Sequence, residues 1–441
     1  MKKLRPITIL FLGFFITVIL GSILLCLPIS SATNEWTNYV DSLFVSISAG
    51  CVTGLTPFVT ADHWSLFGQI VILVLIQIGG LGFMTFISMI MLLFKREFGL
   101  YNKSILMQSA GTFYFGSIKK LMKRIIIGTL IFESLGAIIL SLVFTKDYGP
   151  IGIYYGVFHA ISSFCNAGFD VLGNSLVSYQ GNYVVIVTIS ALIFIGGLGF
   201  FVWGDLLENK HHFSKYQLHT KIVLVANVLL ILVSAALFFV FDFTNLGNEG
   251  MFSDMNVGEK ILNSFFLAIS PRTAGFNAVD LSQLSPAGKC LTIVLMFIGG
   301  NSGSTAGGLK VTTIIVIFAN LFSRAREKKE LSLFKQSIPN DIVTQSSALM
   351  NSYLVLGVIS TIILTSIEPH SFEECLFEVV SALGTVGLTL GITSTLTIAS
   401  KIVLLCLMFI GRLGAFALFD FLLGESNKNS IQHPEGRIMV G

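Results

Sequence analysis

The sequence predicts an all-α polytopic membrane protein: four helix–loop–helix repeats in pseudo-fourfold arrangement around one central axis. Three observations predict it. Only 12% of the 441 residues are charged and mean hydropathy is +0.83, whereas a soluble domain carries about 25% charged residues. Long apolar runs, uncharged but for Glu133, recur at 7–27, 66–94, 125–144, 183–204, 222–241, 311–322, 347–367 and 402–411. A short amphipathic stretch that ends in a small-residue loop with one central glycine occurs four times.

Most of the runs approach or exceed the ~20 residues needed to cross a hydrocarbon core of ~30 Å. Lipid offers no hydrogen-bond partner to the backbone, so these runs are read as helices. Lys2, Lys3 and Arg5 before the first run suggest a secretory leader. That run exceeds the roughly 7–15 apolar residues of a leader, so it is read as a membrane helix.

Basic residues fall at alternate ends of the runs: Lys2, Lys3 and Arg5; seven between Lys95 and Arg124; Lys210, Lys215 and Lys221; Arg324, Arg326, Lys328, Lys329 and Lys335; Lys428 and Arg437. The other connections hold acids, among them Glu35, Asp62, Asp242, Glu249, Asp254, Glu368, Glu373 and Glu374. This bias places both termini in the cytoplasm. It also accounts for the net charge of +3 without any nucleic-acid partner. The six scattered cysteines read as small apolar packers, and His211-His212 as a polar turn, so no transition-metal site is expected.

The repeat is the strongest signal. Its glycines, Gly54, Gly168, Gly275 and Gly387, are separated by 114, 107 and 112 residues. A further glycine cluster follows each loop after 25, 28, 24 and 24 residues, beginning at Gly79, Gly196, Gly299 and Gly411. The short stretches cannot span, and irregular backbone at membrane depth is tolerated only where protein buries it or it lines water. The unit is therefore an outer helix, a short re-entrant helix, a glycine loop and an inner helix. The clusters at 79–82 and 196–199 read as helix-packing contacts, where small residues let backbones approach. Boundaries fall at 1–95, 96–210, 211–330 and 331–425, with a tail at 426–441.

The chemistry of the loops points to one central ion pore. A filter that dehydrates K+ uses backbone carbonyls in place of water, and glycine lets successive carbonyls turn to one axis. The candidate filter is Val52, Thr53, Gly54 and Leu55; Asn166, Ala167, Gly168 and Phe169; Thr273, Ala274, Gly275 and Phe276; Thr385, Val386, Gly387 and Leu388. None is charged. Arg272, just before the third loop, reads as a brace behind it or as a surface arginine. In the third inner helix, Gly299, Gly300, Asn301, Ser302, Gly303, Ser304, Thr305, Ala306, Gly307 and Gly308 cannot hold a straight helix, since an interior glycine costs ~1 kcal/mol. A break projecting beneath the filter is expected, although a packing kink fits too. A phosphate-binding loop is excluded because Leu309 stands where that motif needs lysine.

Val-Thr-Gly-Leu, Asn-Ala-Gly-Phe, Thr-Ala-Gly-Phe and Thr-Val-Gly-Leu resemble the filters of the Trk/Ktr/HKT superfamily of K+ transporters. Residues 299–310 resemble its intramembrane gating loop, and Arg412 stands where the family keeps a basic residue below the filter. Eight spanning runs are closest to the membrane subunit of Ktr systems. The resemblance implies K+ uptake across a bacterial cytoplasmic membrane, with Na+ dependence. It also implies a homodimer seated on a cytoplasmic, nucleotide-binding RCK ring, with the tail at 433–441 in the dimer interface. No cofactor is expected; K+ at the filter and membrane lipid are the non-protein partners.

Ionisable groups at membrane depth are functional candidates. Arg412 is expected to act as an electrostatic barrier. Lys310 reads either as a latch on the gating loop or as a lysine snorkelling to the inner face. The basic stretches at 119–124 and 324–329 read as RCK docking surfaces or as topology signals. Four filter glycines imply K+ preference. An obligatory Na+/K+ symporter is the alternative; inverted repeats are excluded because all four units run in one direction. An enzyme is not expected, since Glu133 has no second intramembrane acid.

Overall fold

A computed structural model describes residues 6–82, 118–210, 212–244, 252, 254–327 and 330–414. Among them the fold is helical apart from a two-residue hairpin, Ser332–Leu333 with Gln336–Ser337. The same order of elements recurs four times. The outer helices are Pro6–Cys26, Ile118–Tyr148, Leu218–Asp242 and Asn340–Ile367. The short helices are Tyr39–Cys51, Ile151–Phe164, Val257–Ile269 and Phe372–Gly384, and the inner helices begin at Leu66, Tyr183, Pro286 and Ile398.

Local chemistry sets these starts. Each inner helix opens on a residue whose side chain accepts from the first turn: Ser65, Asn182, Ser285 and Thr397. Such caps satisfy N–H groups that the helix itself leaves free. Two short helices carry complete capping boxes, Asn256 with Glu259 and Ser371 with Glu374.

The units interlock in a ring. The first inner helix packs on the second short helix, the second on the third, the third on the fourth, and the fourth on the first. One apolar cluster joins units one and two, another four and one, and another three and four. Polar contacts reinforce two seams. Lys401 of the last inner helix pairs with Asp41 of the first short helix at 2.8 Å. Gln77 Nε2 donates to Glu133 at 3.1 Å, giving that acid a neutral partner. The outer helices present Leu130, Ile138, Leu142, Leu229, Leu232, Val358 and Ile362 outward, a belt that suits lipid.

Not every apolar run is one straight span. Among the described residues, three helices are long and apolar enough to cross a membrane: Met122–Tyr148, Leu218–Asp242 and Asn340–Ile367. The run at 183–204 is instead bent by 92° between Tyr183–Gly197 and Phe200–Asn209. Its glycine cluster therefore does two jobs, and packing alone is not the correct reading. A Cβ on Gly196 would strike the carbonyl of Phe164, as one on Gly79 would strike that of Gly50. Gly199, at φ +100°, breaks the helix, and Gly82 and Gly414 end theirs at φ +80° and +86°. The C-terminal tail, the residues from 83 to 117, and the side chains of Lys119, Lys120, Lys328 and Lys329 lie outside the described residues.

Ser371→Ala should cost about 1 kcal/mol of stability, the usual worth of a cap, in thermal unfolding in detergent. Hydrogen bonds from the Ser371 hydroxyl and backbone hold the Glu374 carboxyl below the ordinary carboxylate range. Its contribution is present above that range and lost as pH falls through the lowered value. The difference between Glu374→Ala and the parent should therefore shrink on acidification.

Candidate functional site

The four loops leave their helices by one mechanism. In units one, two and four, the N–H of the residue before the glycine returns to a serine carbonyl: Thr53 to Ser48 at 2.7 Å, Ala167 to Ser162 at 2.8 Å, and Val386 to Ser381 at 2.8 Å. In the third unit Ala274 bonds Ser270 at 2.9 Å, with one residue fewer between serine and glycine. The serine hydroxyls tie the loops as well. Gly54 N donates to Ser48 Oγ at 3.0 Å, and Gly387 N to Ser381 Oγ at 3.1 Å. Ser162 and Ser270 donate to the carbonyls of Phe169 and Phe276.

This exit forces a left-handed residue two positions before each glycine: Val52 at φ +58°, Asn166 at +59°, Thr273 at +75° and Thr385 at +52°. Asparagine tolerates this region, but three of the four are β-branched and outliers there. Such residues cost about 1–3 kcal/mol each and persist only where their surroundings over-determine them. The glycines follow at φ +97°, +70°, +75° and +94°.

The glycines close into a ring. A Cβ on Gly54 would meet the Ala167 carbonyl, one on Gly168 that of Ala274, one on Gly275 that of Val386, and one on Gly387 that of Thr53. All four approaches are closer than 3.0 Å, which real Cβ atoms essentially never show. The cycle runs through units one to four and back. Leu55, Phe169, Phe276 and Leu388, next in each loop, are buried. They anchor the backbone from behind.

Directly beneath the ring lies the break in the third inner helix, between Pro286–Ile298 and Val311–Ala325. Gly308 N donates to Gly411 O at 2.9 Å, Thr305 N to Gly196 O at 3.3 Å, and Phe200 N to Gly303 O at 2.8 Å. Gly307 and Gly300 lie against the hydroxyls of Thr385 and Thr273. Ser304 Oγ returns to Asn301 O at 2.7 Å and Ser302 Oγ meets Thr312 Oγ1 at 3.1 Å. Buried Ala306 packs on Gly300.

Two cations hold this segment. Lys310 Nζ turns back onto the carbonyls of Ala306 at 2.9 Å and Gly307 at 3.0 Å. Both of these bonds stay within the loop. The Arg412 guanidinium donates to Thr305 O, to Gly79 O, and to Gly80 O at 3.4 Å. It thus joins the loop to the first inner helix from the fourth. Among the described residues no carboxylate is paired with Arg412 or Lys310. Arg272 is buried behind the third loop and donates to Asn227.

Asn227 escaped the sequence reading, although an amide inside the apolar run at 222–241 is a signal of its own. Lys401 escaped it too. Its spacing from Asp41 cannot announce a contact between the first and last units.

Fold and ring together define a class: a polytopic helical membrane protein with four re-entrant loops closed on one axis. Residues 14–430 match the TrkH family model, described as cation transport protein, and the chain belongs to that family. It is a family of transporters, not of enzymes. The chain is 39% identical to the potassium/sodium uptake protein NtpJ of Enterococcus hirae, over 100% of this chain and 98% of that one. It is 37% identical to Ktr system potassium uptake protein B of Bacillus subtilis, over 100% and 97%. Its Vibrio alginolyticus counterpart is 35% identical over 98% and 94%. The fold matches the crystal structure of the potassium transporter TrkH from Vibrio parahaemolyticus with a TM-score of 0.75, at 19% identity over 96% of this chain and 86% of that one.

Gly387→Ala puts a methyl group into the Thr53 carbonyl and strains a backbone at φ +94°. The methyl group displaces a ring carbonyl, on top of a strain of about 1–2 kcal/mol, and through that displacement cation flux in vesicles should fall at least about tenfold. Gly391 has φ +99° with nothing within 4 Å of an added Cβ. Gly391→Ala pays the strain without the clash and should retain flux.

Proposed function

We propose that this chain is the ion-translocating subunit of a Ktr-type K+ uptake system in a bacterial cytoplasmic membrane. The observation that carries this reading is the closed cycle of Gly54, Gly168, Gly275 and Gly387. At this ring the carbonyls of Thr53, Ala167, Ala274 and Val386 replace the water shell of K+. The buried hydroxyls of Thr53 and Thr385, which have no protein partner, offer further oxygen. Each unit supplies one quarter of the filter, with the divisions at 1–95, 96–210, 211–330 and 331–425.

The segment at 299–310 is the gate. It lies across the path beneath the ring, latched on itself by Lys310 and tied by Arg412 to the first inner helix. Hydrogen bonds to charged groups are worth about 1.5–3 kcal/mol each, so the closed state is held by a few kcal/mol. A partner can overcome that by moving the inner helices. Arg412 also sets a positive charge below the filter, an electrostatic barrier to cations while the gate is shut. The relatives named for a Ktr system support an assembly with further subunits; the assembly proposed for this chain is a homodimer on a cytoplasmic RCK ring, with both termini facing it. The Enterococcus hirae relative, named for potassium and sodium, supports Na+ dependence. The obligatory symporter remains the second reading.

Expression in a K+-uptake-deficient bacterium, with and without an RCK subunit, tests the proposal. Growth on low K+ is expected with the RCK subunit; no rescue in either case, despite membrane insertion, overturns it. Arg412→Ala should raise basal cation flux about tenfold or more, from the loss of charged hydrogen bonds of about 1.5–3 kcal/mol each. Unchanged flux and preference would remove the barrier role. In reconstituted vesicles, K+ flux without Na+ separates a gated pore from obligatory coupling.

A further inference from the structure

Ring and gating loop are also joined behind the pore, through a side chain that belongs to neither. Arg272 stands three residues before Gly275 and is 8% exposed. Its guanidinium donates to Asn227 Oδ1, its Nε has no partner, and among the described residues no carboxylate neutralises it. A buried cation without an anion depends heavily on whatever dipole it keeps, because its desolvation costs several kcal/mol. Here that dipole is one amide.

The same amide serves the gate. Asn227, 1% exposed on the third outer helix, donates through Nδ2 to Val223 O at 2.6 Å and to Asn301 Oδ1 at 3.0 Å. Asn301 Nδ2 lies 3.3 Å from Asn227 Oδ1 and donates to Gly197 O at 2.7 Å, beside the break in the second inner helix. Oδ1 of Asn227 is thus shared between the filter's arginine and the gate's asparagine. Nδ2 spans the outer helix and the gate. Displacing Asn301 removes partners from both ends of the Asn227 amide. The amide can then turn, and Arg272 loses the acceptor that holds Thr273, Ala274 and Gly275 in place.

We propose that Asn227 is a positioning residue that couples the gating loop to the third filter loop, so that movement of the gate alters ion preference as well as flux. The proposal rests on the transport reading above and adds a direction. With Asn301 engaged the third loop is held for K+; with Asn301 displaced, discrimination against Na+ falls.

The test is K+ and Na+ uptake by the full-length chain in proteoliposomes, with Asn227→Leu, Asn301→Ala and the double variant. Each single change should lower the K+/Na+ uptake ratio, and the double variant should depart from additivity by about threefold or more, as for contacting residues in one network. Asn301 is outside the filter. A purely local role for it predicts a changed rate and an unchanged ratio, and that outcome, or additive effects, overturns the coupling. Should Asn227→Leu fail to reach the membrane, Asn227→Ser takes its place in the cycle, and an unchanged ratio in Asn301→Ala still overturns the proposal. Wild-type transport with unaltered ratios in the variants refutes the coupling alone. A wild-type chain that moves neither ion refutes the transport reading and the coupling with it.

Discussion

Backbone polar groups at membrane depth must find partners inside the protein, and four non-helical loops meeting on one axis make that demand most severe. Every loop leaves its short helix with N–H groups already committed to a serine four or five residues behind. The left-handed residues Val52, Asn166, Thr273 and Thr385 are the cost of that exit. Buried Leu55, Phe169, Phe276 and Leu388, with the inner helices packed on the next unit's short helix, repay it. The strain is sustained because the ring closes. A loop that relaxed alone would lose contact with both neighbours.

The four units share this frame and then diverge. Three positions before the ring glycines stand Cys51, Cys165, Arg272 and Gly384. Only the third places a charge there, and among the described residues only the third inner helix is opened into a long loop. The two features meet at Asn227. In the fourth unit, small Gly384 leaves room for Gly308 to pass against its backbone. Asymmetry beneath a near-symmetric ring thus has a structural origin: a loop entering from one side needs one unit to yield and another to receive it.

The end of the first inner helix at Gly82 and the loop at 299–310 place backbone carbonyls beneath the ring. Arg412 meets that surplus of acceptors. Its guanidinium presents several donors in one plane, and this suits three carbonyls from two elements better than an ammonium would. Lys310, with two carbonyls of its own loop, needs only a point charge.

The helical class, the four glycine loops and the break in the third inner helix were legible in the sequence, because composition and spacing report directly on solvent and on backbone freedom. Gly54, Gly168, Gly275 and Gly387 could be named from their spacing alone. The order in which they touch could not, nor could the pairing of Lys401 with Asp41 across the whole chain. The cluster at 196–199 reads in the sequence as a packing contact, yet Gly196 packs while Gly199 breaks the helix: the two differ only in which neighbour approaches and which φ results. Asn227 is the plainest case. Its amide is visible as an oddity in an apolar run, but its role depends on Arg272 and Asn301, which stand 45 and 74 residues further along the same unit. Residue type and periodicity determine what each segment needs from its surroundings. Only the closed ring decides which atoms meet that need, because those partners are distant in sequence and become neighbours when the fourth unit packs on the first.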